Sequence, residues 1–195
     1  SDRIVRGLAS GAGNEEVVLV DRGSDVLVAT DVATDGRLMY QRFDSGLNNA
    51  DLLTIQPGAS PEVPFLVSPI PIREEAGRLS PDGRWVAYRS NESGRGEVYV
   101  QSLTPGGGKW QVSRAGGRYP KWRADGREIF FDIADSFWAA PVAVAGAALD
   151  IGTPVKLFDH PIVHGERERN RWSVSPDGQR FLLNAPTEHT APARI

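Results

Sequence analysis

The chain of 195 residues contains no cysteine. Disulfide bridges, Cys-ligated zinc, iron–sulfur clusters and thiol catalysis are therefore excluded. Histidine is scarce, with only His160, His164 and His189. No apolar run approaches the roughly 18 residues of a membrane-spanning helix, and Val17–Val20, near the start, directly follows Glu15 and Glu16. Helical periodicity is missing too: no window of about 11 residues keeps apolar side chains at i, i+3, i+4 and i+7 without an intervening glycine or proline. Excess positive charge is absent, since the net charge is −3 and the pI about 5.6. That argues against a nucleic-acid partner, and the lack of an apolar span argues against membrane insertion.

Turn formers are plentiful, with 21 glycines and 14 prolines, while 40% of residues are hydrophobic and 24% charged. This is a folded, globular composition. Short β-rich runs recur at Val17–Val20, Val26–Ala29, Trp85–Tyr88, Val98–Val100, Ile129–Phe131 and Phe181–Leu183. Turn clusters separate them, which is the pattern of an all-β chain.

Four segments share one grammar: Val32–Arg37, Leu79–Arg84, Trp122–Arg127 and Val174–Gln179. Each is a strand end, an Asp-Gly turn, a polar residue and a β run. The turn aspartates Asp35, Asp82, Asp125 and Asp177 are spaced by 47, 43 and 52 residues, the period of a four-stranded propeller blade. Aspartate can accept bonds from the backbone amides that follow it, and glycine takes positive φ without a Cβ clash. An apolar residue three before each aspartate (Val32, Leu79, Trp122, Val174) is expected to enter the core. On the second strand, alternation is expected to send Leu38 and Tyr40, Val86 and Tyr88, Ile129 and Phe131, and Phe181 and Leu183 inward and their neighbours outward.

Outer strand pairs follow each hairpin: Leu52–Gln56 with Pro64–Val67, Glu97–Leu103 with Lys109–Ser113, and Phe137–Ala139 with Val155–Phe158 after a loop through Gly146. The fourth repeat has no outer pair, whereas Arg3–Leu8 and Glu15–Val20 carry that pattern at the N-terminus. The expected fold is a β-propeller of four four-stranded blades, the last closed by the N-terminal strands in a two-plus-two (Velcro) closure that removes an exposed edge. Residues 1–185 form the single domain in this reading, and 186–195 a flexible tail.

The Ser-Pro-Asp-Gly hairpins at Ser80–Arg84 and Ser175–Gln179, the variant Ala124–Arg127 and the Val98–Val100 strand resemble TolB-like β-propeller repeats. The stretch Arg78–Asn184 is similar to the propeller that follows the kinase domain in bacterial receptor-type Ser/Thr kinases. The resemblance implies a bacterial scaffold or sensor domain that binds protein or small ligands without catalysis, with an extracytoplasmic location favoured. TolB-type propellers commonly have six blades, and the first copy, Ala33–Gly36, lacks the proline.

Catalytic motifs are not found. The kinase signatures are missing, as is Gly-x-Ser-x-Gly. Gly106–Lys109 has Leu103 where a phosphate loop needs its first glycine, and Trp110 where it needs Ser or Thr. His160 and His164 stand four apart, with Asp159 and Glu166 nearby, but Pro161 breaks the helix that would align them on a metal. Asp125, Asp132 and Asp135 lack calcium-loop spacing. No catalytic residue, metal or cofactor is assigned. The strand approaches carrying Arg78, Arg118, Tyr119, Lys121, Arg171 and Trp172 are expected to converge on one propeller face as a ligand- or partner-binding site, because a rigid scaffold gathers its loops. The five tryptophans suit inter-blade packing, and the run Glu166–Arg171 suits a solvated rim. A monomer or homodimer is expected. The alternatives are an accessory propeller gating substrates for a hydrolase or kinase, or a small metal-dependent hydrolase or lyase using His160 and His164.

Overall fold

Short β runs divided by Asp-Gly turns fold into strands only: the described residues form seventeen strands and no helix. The computed structural model describes residues 3–6, 16–20, 25–46, 48–56, 63–66, 72–146, 148–160 and 172–184. Arg171, His164, Glu166, His189, the 9–13 and 57–58 turns and the 186–195 tail lie outside them.

Three blades are complete. Blade 1 is β3 (Val26–Val32), β4 (Leu38–Phe43), β5 (Ala50–Ile55) and β6 (Val63–Leu66), paired in that order. Blade 2 is β7 (Glu74–Leu79), β8 (Trp85–Ser90), β9 (Glu97–Ser102) and β10 (Lys109–Gln111). Blade 3 contains β11 (Arg118–Trp122), β12 (Glu128–Ile133), β13 (Ser136–Ala145) and β15 (Val155–Asp159). The segment expected to be a loop through Gly146 is instead a hairpin. β13 runs on past blade 3 and returns as β14 (Ala148–Ile151), with Val142 opposite Ile151. Gly146, at φ +64°, permits the reversal.

The hairpins between first and second strands use the turn chemistry read from the sequence. The Arg37, Arg84, Arg127 and Gln179 amides donate to Oδ1 of Asp35, Asp82, Asp125 and Asp177 at 2.9–3.1 Å. The following glycines, Gly36, Gly83, Gly126 and Gly178, sit at φ +68° to +83°. These bonds hold the carboxyls of Asp35, Asp125 and Asp177 below the ordinary carboxylate range, with bonding from Arg37, Arg123 and Ser175 leading in the three cases. Asp82 is likewise lowered: burial opposes ionisation, but bonds from Ser80 and Arg84 outweigh it.

Blades 2 and 3 are covered on both faces, so alternation there sorts side chains between two neighbours rather than between core and water. Val86 and Tyr88 pack towards blade 1 with Met39 and Leu52. Trp85, in the inter-blade packing expected of the tryptophans, and Ala87, expected to point outward, are buried against Ile129 and Phe131 of blade 3. Blade 3 repeats this, with Phe130 and Phe137 turned to the next hairpin, β16 (Trp172–Val174) and β17 (Phe181–Leu183). Stacked sheets about 10 Å apart bury both surfaces, and the hydrophobic stabilisation scales with that area.

The expected closure is not formed by the described strands. β1 (Arg3–Arg6) pairs with β2 (Glu16–Val20), and β16 with β17, as two separate two-stranded sheets. Three blades separate them. Ile4 packs on the outer face of blade 1 with Tyr40 and Leu53, while β16–β17 packs on blade 3. Val32 reports the consequence. Its equivalents Leu79, Trp122 and Val174 each pack on the preceding blade. No inner hairpin precedes blade 1 in this arrangement, and Val32 is 61% exposed.

Candidate functional site

Counting back four residues from each turn aspartate gives Asp31, Arg78, Lys121 and Ser173. The registers place the first three equivalently: Asp31 is opposite Met39, Arg78 opposite Ala87 and Lys121 opposite Phe130, one step before the last paired residue of each inner strand. The inner strands β3, β7 and β11 are neighbours in turn. Asp31, Arg78 and Lys121 therefore line one cleft of about 370 Å³ with Val32, Leu79 and Trp122.

Bonds between side chains and the backbone fix this cleft, two of them between blades. Asp31 Oδ2 accepts the Leu79 amide at 2.8 Å, and its Oδ1 accepts the Val32 amide at 2.9 Å. Trp122 Nε1 donates to the Arg78 carbonyl at 3.1 Å. Burial pushes the Arg78 guanidinium down from its ordinary value, against the attraction of Asp31. Lys121 is pushed down to about 8, first by burial and then by the charge of Arg78, with Asp31 opposing. Two cations thus share a partly desolvated space with one carboxylate, and the ammonium form is the less favoured for it.

A bulge interrupts each inner strand just before this level, between Ala29 and Asp31, Glu75 and Arg78, and Arg118 and Lys121. Ala76 and Tyr119 sit there at φ +55° and +51°, uncommon for residues with a side chain. The Ala76 amide is held by Gln41 Oε1 of blade 1 at 2.7 Å. The bulge re-aims the chain so that the residue after next faces the cleft.

The six residues expected to form a binding face do not all meet. Arg78 and Lys121 do. Arg118 lies three residues earlier in the chain, where its Nε is 3.1 Å from the buried Asp132 carboxylate. Tyr119 is the bulge residue. Trp172 is 3% exposed and belongs to the core with Phe137 and Phe158. It meets the cleft at Lys121, whose Nζ stands 5.2 Å from its ring centroid, a cation–π distance. Trp172 is thus a supporting core residue rather than a surface one, because it faces the preceding blade as Gly77 does in blade 2. Asp31 was not among the expected residues, although it holds the same place before its turn as Arg78 and Lys121.

The metal alternatives gain nothing. Asp125 is in the turn and Asp132 at the far end of the same hairpin. His160 donates its amide to the Asp135 carbonyl at 2.7 Å, and Asp159 is engaged by Ser136 and Lys156 at 2.6 Å each. Among the described residues no three His, Asp or Glu side chains are grouped to hold a metal.

This arrangement of blades defines a β-propeller fold. It is similar to TolB from Acinetobacter baumannii, with a TM-score of 0.58 and 17% identity over 93% of this chain and 42% of that one. It is also similar to a putative TolB from Agrobacterium tumefaciens, with a TM-score of 0.56 and 18% identity over 78% of this chain and 55% of that one. The chain spans about half the length of these structures. No family model matches the chain, and no curated protein does. The likeness is one of fold: a TolB-like all-β propeller module.

Proposed function

We propose that this chain is a non-catalytic recognition module, in which the blades act as a rigid frame and the cleft lined by Asp31, Arg78 and Lys121 is the binding site. The observation that carries the reading is the convergence of Arg78 and Lys121, from two different blades, on one cleft beside Asp31. Rigid display limits the conformational entropy lost on binding. The repeated inter-blade bonds to Leu79, Ala76 and Arg78 supply that rigidity. The partner is a protein or small ligand, and the module works as the sensing part of a larger bacterial signalling protein. That last step rests on the resemblance to kinase-linked propellers. A four-bladed form requires β1–β2 to add to the β17 edge; the three blades alone already present the cleft, so the reading does not depend on it.

The test is capture of partners from an extract of the source bacterium by the wild-type chain and by the double variant Arg78→Glu/Lys121→Glu, with melting temperatures recorded for both. Loss of a captured partner at unchanged stability supports the reading. Equal capture by both chains contradicts it.

A further inference from the structure

We infer that the projecting β13–β14 hairpin is a peptide-docking edge, on which an extended, uncharged segment of a partner protein adds as a further strand beside Val144. The inference is independent of the Asp31, Arg78 and Lys121 cleft. Three observations combine. First, one side of β13 loses its neighbour part-way along. β12 pairs with β13 as far as Glu128 opposite Pro141, and one step later the Val142 amide donates to the Arg127 carbonyl at 2.8 Å. Arg127 gives its own amide to Asp125 Oδ1 at 3.0 Å, inside the turn. Among the described residues no strand pairs with β13 on that side beyond this point. Backbone groups two residues apart on a strand point the same way, so the Val144 N–H and C=O face the side that β12 has left. An extended backbone completes such a donor and acceptor pair. Second, the edge is undefended. Exposed edges usually carry charge or proline, and Val142–Leu149 contains neither. Ala143, Val144 and Ala145 are exposed, whereas β15 of the same blade carries Lys156 and Asp159. Third, a cleft of about 600 Å³ opens beside this edge, where Val142, Val144 and Leu149 meet Trp85 and Trp122. In an added strand every second side chain falls on the face of Val142 and Val144, so an apolar side chain there enters the cleft. The polar groups of the lining are engaged already. Ser80 Oγ bonds to Asp82, Asp82 is held by Arg84 and Asp125 by Arg123, while Trp122 Nε1 donates to the Arg78 carbonyl. Arg127, also in the lining, adds its charge beside Asp125. No carboxylate of the cleft therefore lacks a cation, which matches an uncharged segment.

The intact, nitrogen-15-labelled chain is titrated with the blocked heptapeptide Lys-Val-Thr-Val-Thr-Val-Lys, whose end lysines keep it soluble and flank the uncharged stretch. The peptide is expected to move the Val144 amide signal saturably and to slow its hydrogen exchange at least ~10-fold. The same peptide with serine for each valine is expected to bind at least ~10-fold more weakly, because it has no apolar side chain for the cleft. N-methylating one alternate set of peptide amides is expected to abolish binding, and N-methylating the other set to leave it. An unmoved Val144 amide overturns the site, equal binding of the serine peptide overturns the role of the cleft, and an equal effect of the two methylated sets overturns the strand pairing. Val144→Pro, which removes only the outward N–H, is expected to lose the peptide at an unchanged melting temperature; retained binding contradicts the inference. The methylated peptides need no change in the protein, so they decide the matter even if Val144→Pro disturbs the hairpin. Protection of Val144 that rises with protein concentration alone assigns the edge to a second copy of the chain and overturns the peptide. The double variant Arg78→Glu/Lys121→Glu is expected to bind the peptide as the wild type does, and loss there contradicts the placement on β13.

Discussion

Arg89 faces Glu75 directly across the β7–β8 pair, Nη1 to Oε2 at 2.5 Å, and the equivalent positions in blade 3 hold Asp132 and Arg118 with the charges exchanged. Glu75 and Asp132 are both almost fully buried. The repeat therefore conserves a cross-strand ion pair at this level in blades 2 and 3 and not the sign of either partner. Breaking such a pair from one side leaves a buried charge, whereas replacing both partners by apolar residues does not. Arg118→Met is expected to cost about 3 kcal/mol, and Arg118→Met/Asp132→Leu to recover most of that loss. Urea denaturation of the three chains measures it. Equal loss in the single and double variants would contradict the burial of Asp132.

The turn glycines predict graded costs. Alanine at Gly83 meets only the end of the Arg37 side chain, at 3.5 Å, so the cost is that of placing a Cβ at φ +68°, about 1 kcal/mol. Alanine at Gly178 adds contacts of 2.9 Å with Arg123 Cδ and Phe130 Cζ. Gly178→Ala is expected to lower the melting temperature more than Gly83→Ala. The opposite order would contradict the packing of the last hairpin on blade 3.

Glu74 makes the fold pH-sensitive. Burial pushes its carboxyl from 4.5 to about 7, with Asp51 and Glu92 adding to the rise and Lys109 opposing it. No hydrogen-bond partner reaches its Oε2 among the described residues. The unfolded chain loses this proton near pH 4.5 and the folded chain near 7, so this group's contribution to stability falls as pH rises between those values and is level above. Thermal unfolding from pH 5 to 7.5 is expected to show a decline that Glu74→Gln flattens. An unchanged slope in the variant would contradict the burial of this carboxyl.

Val32 tests whether the described arc is open at its first blade. Being 61% exposed, it is expected to accept aspartate within about 0.5 kcal/mol, whereas Leu79→Ala, at the equivalent buried position, costs about 2–5 kcal/mol. A Val32→Asp loss as large as that of Leu79→Ala, read from urea midpoints, would show that an inner hairpin covers Val32 in solution.

Much of this architecture is legible in the residues. The Asp-Gly spacing gives the blades, and the bonds made by Asp35, Asp82, Asp125 and Asp177 are those the turn chemistry anticipates. Other features depend on what packs from far away in the chain. Ala87 and Phe130 read as outward positions because alternation alone cannot distinguish a sheet facing water from one between two others. The β13–β14 hairpin carries a local sign, with Val142 and Val144 alternating before Gly146, that a loop reading passes over. At the bulges the positive-φ residues themselves, Ala76 and Tyr119, are not glycines, so composition does not mark them. The candidate cleft was half legible: selecting basic and aromatic residues picked out Arg78 and Lys121, which line it, but passed over Asp31, which the register of the repeat places beside them. Trp172 was read both as inter-blade packing and as part of the binding face, and its burial with Phe137 follows the first.

The account's central claim is that equivalent positions on neighbouring inner strands meet in one cleft, and the titration midpoint of Lys121 tests it most directly. The carbon-13 signal of its Cε, followed from pH 6 to 12, is expected to turn near 8 in the wild type and to move upward in Arg78→Leu, where the like charge is gone. A midpoint at the ordinary 10.5 that Arg78→Leu leaves in place would place the two side chains apart and contradict the account.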